Sequence, residues 1–268
     1  MSFGAFAISA WDWKPSVLVG CAALAAAYFA TEGLRFPRRA AVWISGILLL
    51  LFALASPLDT LADTYLFSAH MAKHIGLLLL IPALLLIGCP PVWMERLLSR
   101  RPMARLERVL ANPGIAWSAG IGAMALWHIP LVFNTALAHE ALHIAEHLSL
   151  LVTGTIFWWP ILSPLPQLRL APVPQAVAYL FSACGACTAM GVLITFSPHL
   201  LYPAYAHPLD TYGVLPAIRD GWGISAAMDQ QIGGLLMWVP CCFVYLTAIM
   251  AMFARWYGEE GNAVAEAS

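Results

Sequence analysis

Long stretches without an ionised side chain set the strongest limit on what this chain can become. Residues 40–56, 75–94, 148–168 and 230–254 contain no Asp, Glu, Lys or Arg. A run of about 20 apolar residues is enough to cross a bilayer, where only helices and closed barrels can satisfy their own backbone. The whole chain of 268 residues is 61% hydrophobic and 10% charged, against about 25% charged in ordinary soluble domains. These features predict an all-α fold: a polytopic membrane helix bundle, one integral-membrane domain over residues 1–268. Seven transmembrane helices are expected near 15–31, 40–56, 66–88, 114–129, 142–162, 174–196 and 229–254. Proline marks the joints, at Pro37, Pro57, Pro90, Pro91, Pro113, Pro130, Pro164, Pro166 and Pro198. A net charge of -1 gives no footing for nucleic acid, and the lipid bilayer is the expected surrounding. The first residues lack a basic region and a small-residue cleavage site, so no removable signal peptide is expected.

Basic residues orient the bundle. Arg35, Arg38, Arg39, Arg96, Arg100, Arg101, Arg105, Arg108, Arg169 and Arg255 fall in one alternating set of loops and ends, whereas Lys14 and Arg219 alone occupy the other. Positively charged loops stay on the cytoplasmic side. The expected topology therefore has the N-terminus outside and the C-terminus cytoplasmic.

On that topology the histidines form a layer. His70 and His74 fall in the first outer turns of the third span, roughly 6–12 Å below the outer boundary. His143 and His147 fall in the first turns of the fifth, with His139 at its entrance and His128 at the outer end of the fourth. Residues four apart share a helix face, so each pair presents two nitrogens in one direction. Imidazole is the commonest side-chain metal ligand and is costly to hide in lipid without a partner. Two facing pairs would supply four ligands to one cation, or two to each of two. Met124, four residues before His128, adds a candidate thioether. Imidazole with thioether suits copper, and imidazole alone suits zinc, copper or iron. A lone histidine at a helix end is more often an interfacial residue, which is the plainer reading of His128, His199 and His207.

Three ionisable groups lie near this layer. Lys73 sits between His70 and His74, either snorkelling to headgroups or pairing with Glu146 or Asp229. Glu146 has no reason to face lipid; it can ligate, orient an imidazole, or take up a proton. Asp229 can do the same from the seventh span. His143-Ile-Ala-Glu146-His147 also spells a zinc-peptidase pattern, but that motif works in soluble domains with a further carboxylate ligand. The cysteines lie in or beside apolar runs, which disfavours a disulfide framework. Cys184 and Cys187 sit among small residues, where close helix packing is the default; the alternative is a thiol relay with Cys241 and Cys242.

Four motifs in order carry a family resemblance: Ser68-Ala-His70-Met-Ala-Lys73-His74, Trp127-His128-Ile-Pro130, Ala141-Leu-His143-Ile-Ala-Glu146-His147 leading to Trp158-Trp159-Pro160, and Asp229-Gln-Gln-Ile-Gly-Gly-Leu-Leu-Met-Trp238-Val-Pro240. Over roughly residues 40–255 the chain resembles the CtaG family of polytopic bacterial cytochrome c oxidase assembly proteins, tied to caa-type oxidases. The single-span periplasmic copper chaperone that shares the name is a different protein. The resemblance implies work in the bacterial cytoplasmic (inner) membrane, maturation of a haem-copper oxidase, and no enzyme activity. It implies functional positions at His70, His74, His128, His143 and His147.

The combined expectation is an assembly factor that binds copper on His70, His74, His139, His143 and His147. Its partners would be a cytochrome c oxidase subunit and a periplasmic copper chaperone, with His128, Glu146, Asp229, Met124 and Lys73 as further ligands or supporting residues. Two alternatives stay open: a copper transporter, and a b-type haem protein with axial histidines. Membrane di-iron enzymes are a poorer match, because their adjacent His-His pairs lie on the cytoplasmic side.

Overall fold

A computed structural model describes residues 3–170 and 173–267, with side chains through residue 258, and every regular element among them is helical. The chain opens with α1 (Phe3–Ser9), α2 (Pro15–Thr31), α3 (Pro37–Ala55) and the short α4 (Pro57–Thr60), which runs into a π-helical turn at Leu61–Tyr65. Next, α5 (Phe67–Ile75) passes through a second π turn (Gly76–Leu80) into α6 (Ile81–Gly88), forming one unbroken span, Phe67–Gly88. There follow α7 (Pro91–Leu98), α8 (Arg101–Leu110), α9 (Pro113–Trp127), α10 (Pro130–Ala138), α11 (Glu140–Leu162), α12 (Val173–Thr195) and α13 (Ala226–Ala267). All seven predicted stretches are helical. Proline stands in the first turn of most helices, where its missing N–H costs nothing. Asn112 caps α9, its Oδ1 accepting from the N–H groups of Gly114 (3.0 Å) and Ile115 (3.3 Å).

Four helices among the described residues are long and apolar enough to cross a membrane: Pro37–Ala55, Phe67–Gly88, Val173–Thr195 and Ala226–Gly258. A fifth is added if α8 and α9, bent by 71°, count as one broken span. Of the remaining predicted spans, α2 has only 17 residues, and α11 opens on Glu140, His143, Glu146 and His147.

Phe67–Gly88 is the central helix. It is 61% buried over its most apolar window, against 22–39% for the other three. Its neighbours are α3, α11 and α13, while α12 packs along α13 and α9 along α11. Two close approaches set these distances. Gly191 and Gly234 meet across α12 and α13, where a Cβ on either would meet the other's carbonyl oxygen at 2.7–2.8 Å. Gly154 of α11 faces the Leu78 carbonyl so closely that a Cβ there would collide with the backbone. Pro82 has no N–H to give that carbonyl in an α-helical pattern, and the π turn lies just before it.

Asp229, at the start of α13, fastens the N-terminal end of the central helix. Its Oδ2 accepts from the Phe67 N–H (2.7 Å), and its Oδ1 accepts from the Ser68 N–H (3.0 Å) and hydroxyl (2.5 Å). The carboxylate is fully buried and caps from another helix the donors that every helix N-terminus leaves open. Asp229→Ala is expected to lower stability by at least about 1.5–3 kcal/mol, the range for one hydrogen bond to a charged group. Thermal unfolding of the purified protein checks this, and an unchanged midpoint would deny the cap its weight.

Candidate metal centre

The histidine-bearing stretch of the central helix lies between the two π turns. Such turns insert one residue into the helical register, re-aim the side chains around them, and are frequent at functional sites. Here α5 and α11 turn both imidazole pairs to one volume. The His70 ring centroid lies 4.4 Å from His74, 5.5 Å from His143 and 6.0 Å from His147; His74 lies 6.1 Å from His147, and His143 lies 4.2 Å from His147. One ligand atom each from His70, His143, Glu146 and His147 falls within 4.8 Å of all the others. His74 joins the group through its Nε2, 2.9 Å from His70 Nε2 and 3.3 Å from Glu146 Oε1. His70, His74 and Glu146 are buried; His143 and His147 are half-buried.

Surrounding groups fix which nitrogen His70 presents. Tyr205 donates its hydroxyl to the Ala62 carbonyl (2.7 Å) and lies 3.1 Å from His70 Nδ1, which is itself 3.2 Å from that carbonyl. Burial pushes the Tyr205 hydroxyl well above the ordinary phenol range, so it stays a neutral donor to Ala62. We assign the proton of His70 to Nδ1 on this network, which leaves Nε2 unprotonated toward the cluster, accepting from His74 Nε2 at 2.9 Å. His128 repeats the arrangement: its Nδ1 meets the Met124 carbonyl at 2.6 Å, and its Nε2 faces Met71 Sδ at 3.1 Å.

Four buried polar atoms in the cluster have no hydrogen-bond partner: His74 Nδ1, His143 Nε2, His147 Nε2 and Glu146 Oε1. Buried polar groups are normally satisfied, and each orphan costs on the order of 1–3 kcal/mol. Glu146 is the sharpest case. Among the described residues only imidazoles approach its carboxylate, at 3.3–3.9 Å, and it is 1% exposed. A buried carboxylate without a cation is costly. Bare nitrogens and an uncompensated negative charge around one small volume fit a bound metal ion.

The lysine beside the cluster is already taken. Lys73 is fully buried rather than snorkelling, and its Nζ donates to Asp59 at 3.0 Å and to Asp63. Its partners are these two carboxylates, neither Glu146 nor Asp229. Lys14 completes the group at 2.5 Å from Asp59; although burial opposes it, the Asp59 hydrogen bond holds the Lys14 ammonium above its usual range. Asp63 in turn stands 3.4 Å from His143 Nε2 and 3.8 Å from His70 Nδ1, so this ion network forms one wall of the imidazole cluster.

His139 is exposed at the start of α11, outside the cluster, its Nδ1 at 2.9 Å from the Thr135 carbonyl. His128 lies beside the cluster, its ring 5.4 Å from that of His74. Met124 turns its sulfur toward Cys187 (3.7 Å), and Met71 supplies the thioether at His128 instead. Asp229 acts on the helix that carries His70 and His74 and touches neither ring. His199 and His207 are exposed. Sequence reasoning missed Asp59, Asp63, Met71 and Tyr205. The spacing of Asp59 and Asp63 was a readable signal, since carboxylates four apart on one helical turn next to a buried lysine form a natural clamp. The role of Tyr205 had no local signal, because it comes from a loop 135 residues from His70.

The chain is 24% identical over 269 aligned positions to uncharacterized proteins of Mycobacterium leprae, Mycobacterium bovis and Mycobacterium tuberculosis. The alignment takes in 91% of this chain but only 39% of each relative, so the chain spans well under half the length of the curated proteins it matches. No solved structure matches it. The family model for cytochrome c oxidase caa3 assembly factors (Caa3_CtaG) matches residues 18–259. Because that match takes in all of the helices that build the imidazole cluster, the chain belongs to the caa3 cytochrome c oxidase assembly factor family.

Proposed function

We propose that the protein is a non-enzymatic copper carrier of oxidase assembly, which holds copper on His70, His74, His143 and His147 with Glu146 and passes it to a cytochrome c oxidase subunit. The observation that supports this most is the set of bare imidazole nitrogens around an unpaired buried carboxylate. Neutral imidazoles with one carboxylate bind a cation of charge one or two without leaving a large net charge in the bilayer. In this reading seven helices cross the bacterial inner membrane, with the N-terminus outside and the C-terminus in the cytoplasm. The cluster then lies in the outer leaflet beneath the loop carrying Tyr202 and Tyr205, where a periplasmic chaperone can deliver copper and an oxidase subunit can receive it.

Metal analysis after copper loading tests the proposal. Wild-type protein is expected to retain copper and the His70→Ala/His143→Ala variant to lose it; equal copper in both removes the idea. His139→Ala, outside the cluster, is expected to retain the wild-type amount. Loss of copper in that variant would mean that the site extends to the surface.

A further inference from the structure

Beneath the imidazole cluster lies a small cavity of about 20 Å³, lined by Met71, His74, Met124, His128, Met237 and Cys241 together with aliphatic side chains. It has room for about one water-sized particle. Its lining is almost wholly apolar, and three thioether side chains and one thiol side chain share it with the aliphatic residues. Met124 Sδ lies 3.7 Å from Cys187 Sγ, which also lies 3.5 Å from the Tyr245 hydroxyl; the Cys187 thiol of α12 and the Cys241 thiol of α13 are near enough to influence each other. Cys187, Cys241 and Met124 are all buried, and all six cysteines are free. Counting 1.5 Å per residue along the parallel α13 and central helix, the thiol pair lies roughly 8 Å deeper than His74.

These side chains lie next to one another between the imidazole cluster and the thiols. The His74 ring lies 5.4 Å from that of His128, whose Nε2 lies 3.1 Å from Met71 Sδ; the Met124 carbonyl holds His128, and the Met124 sulfur touches Cys187. Packing alone explains buried cysteines one at a time. It does not explain why two thiols and the Met124 thioether share one spot with a cavity that two further thioether side chains and two histidine side chains line.

We propose that Cys187, Cys241 and Met124 form a second metal site, for a soft monovalent cation of the Cu(I) class, reached from the imidazole cluster through this cavity. Thiolate and thioether together select Cu(I) over harder cations. Charge favours it as well. As one Cu–S bond forms, one S–H bond breaks and its proton leaves through the cavity, so the bilayer interior gains no net charge. The inference rests on the copper reading of the outer cluster, and it extends that reading from a surface carrier to a protein with an inner station.

Anaerobic loading of the purified full-length protein with Cu(I), followed by copper counting and copper X-ray absorption, tests it. Wild type is expected to bind two copper ions per chain, with both nitrogen and sulfur ligands. Cys187→Ser/Cys241→Ser should lose one copper and the sulfur signal while keeping the nitrogen signal. His70→Ala/His143→Ala should keep the sulfur-bound copper. Met124→Leu, which conserves volume, should weaken the inner site at least about tenfold in competition with a Cu(I) chelator and covers the case in which the thiol variant fails to fold. A nitrogen-only spectrum in wild type, or full sulfur-bound copper at unchanged affinity in both inner-site variants, overturns the inner site and leaves the outer reading standing. Sulfur-bound copper alone, indifferent to the histidine changes, would leave the inner site and remove the outer one.

Discussion

Lys73→Met is expected to destabilise the protein by about 3–5 kcal/mol, the range for removing one partner from a buried ion pair. Lys73 is fully buried, and its ammonium is held by Asp59 and Asp63. Methionine fills much the same volume, so the loss would be of charge and not of packing. Asp59 keeps Lys14 at 2.5 Å, but Asp63 is left facing His143 with no cation of its own. Chaotrope or thermal unfolding of the purified protein measures the change. The double variant Lys73→Met/Asp63→Asn is expected to recover most of it, since removing both charges restores balance. If the single variant unfolds at the wild-type midpoint, the network has no structural weight and Lys73 must be explained otherwise.

Gly154→Val is the second large effect. A side chain at 154 would strike the backbone carbonyl of Leu78 rather than a flexible neighbour, so α11 has to move away from the central helix. Overpacking of this kind costs about 1–3 kcal/mol, but the larger consequence is functional. Gly154 lies two helical turns below His147 on the same helix, and any shift there separates His143 and His147 from His70 and His74. We expect copper retention to fall by at least the amount seen on removing one ligand. Gly122→Val, on α9 where a Cβ meets nothing within 4 Å, is the control that should retain both stability and copper. Wild-type copper binding in Gly154→Val would show that the two imidazole pairs do not need this close approach.

Much of this arrangement could be read from the chain. The helix positions followed from apolar runs broken by proline and arginine, because lipid leaves no alternative to helices of that length. The facing of His70 with His74, and of His143 with His147, followed from four-residue spacing alone. What escaped was whatever depends on distant pairing. Asp59 and Asp63 were hidden in a stretch read as loop, although they fold as a helical turn ending in a π turn. Tyr205 reaches His70 only because the loop between α12 and α13 folds back over the bundle. Met71 displaced Met124 as the thioether at His128 because His128 caps the end of α9, so that its Nδ1 turns back to the Met124 carbonyl while its Nε2 points across to the central helix. His139 sits one residue before α11 begins, and at that position an extended backbone sends its ring to the surface rather than along the face shared by His143 and His147.

Nitrogen counting at the bound metal tests the central claim most directly. Pulsed electron paramagnetic resonance of Cu(II)-loaded protein, with histidine carrying ¹⁵N, resolves how many imidazoles bind one ion. Convergence of the two pairs predicts one centre with imidazoles from both helices, so that His70→Ala and His147→Ala each remove one nitrogen from the same signal. A count that responds to one helix and ignores the other would contradict a shared site between them.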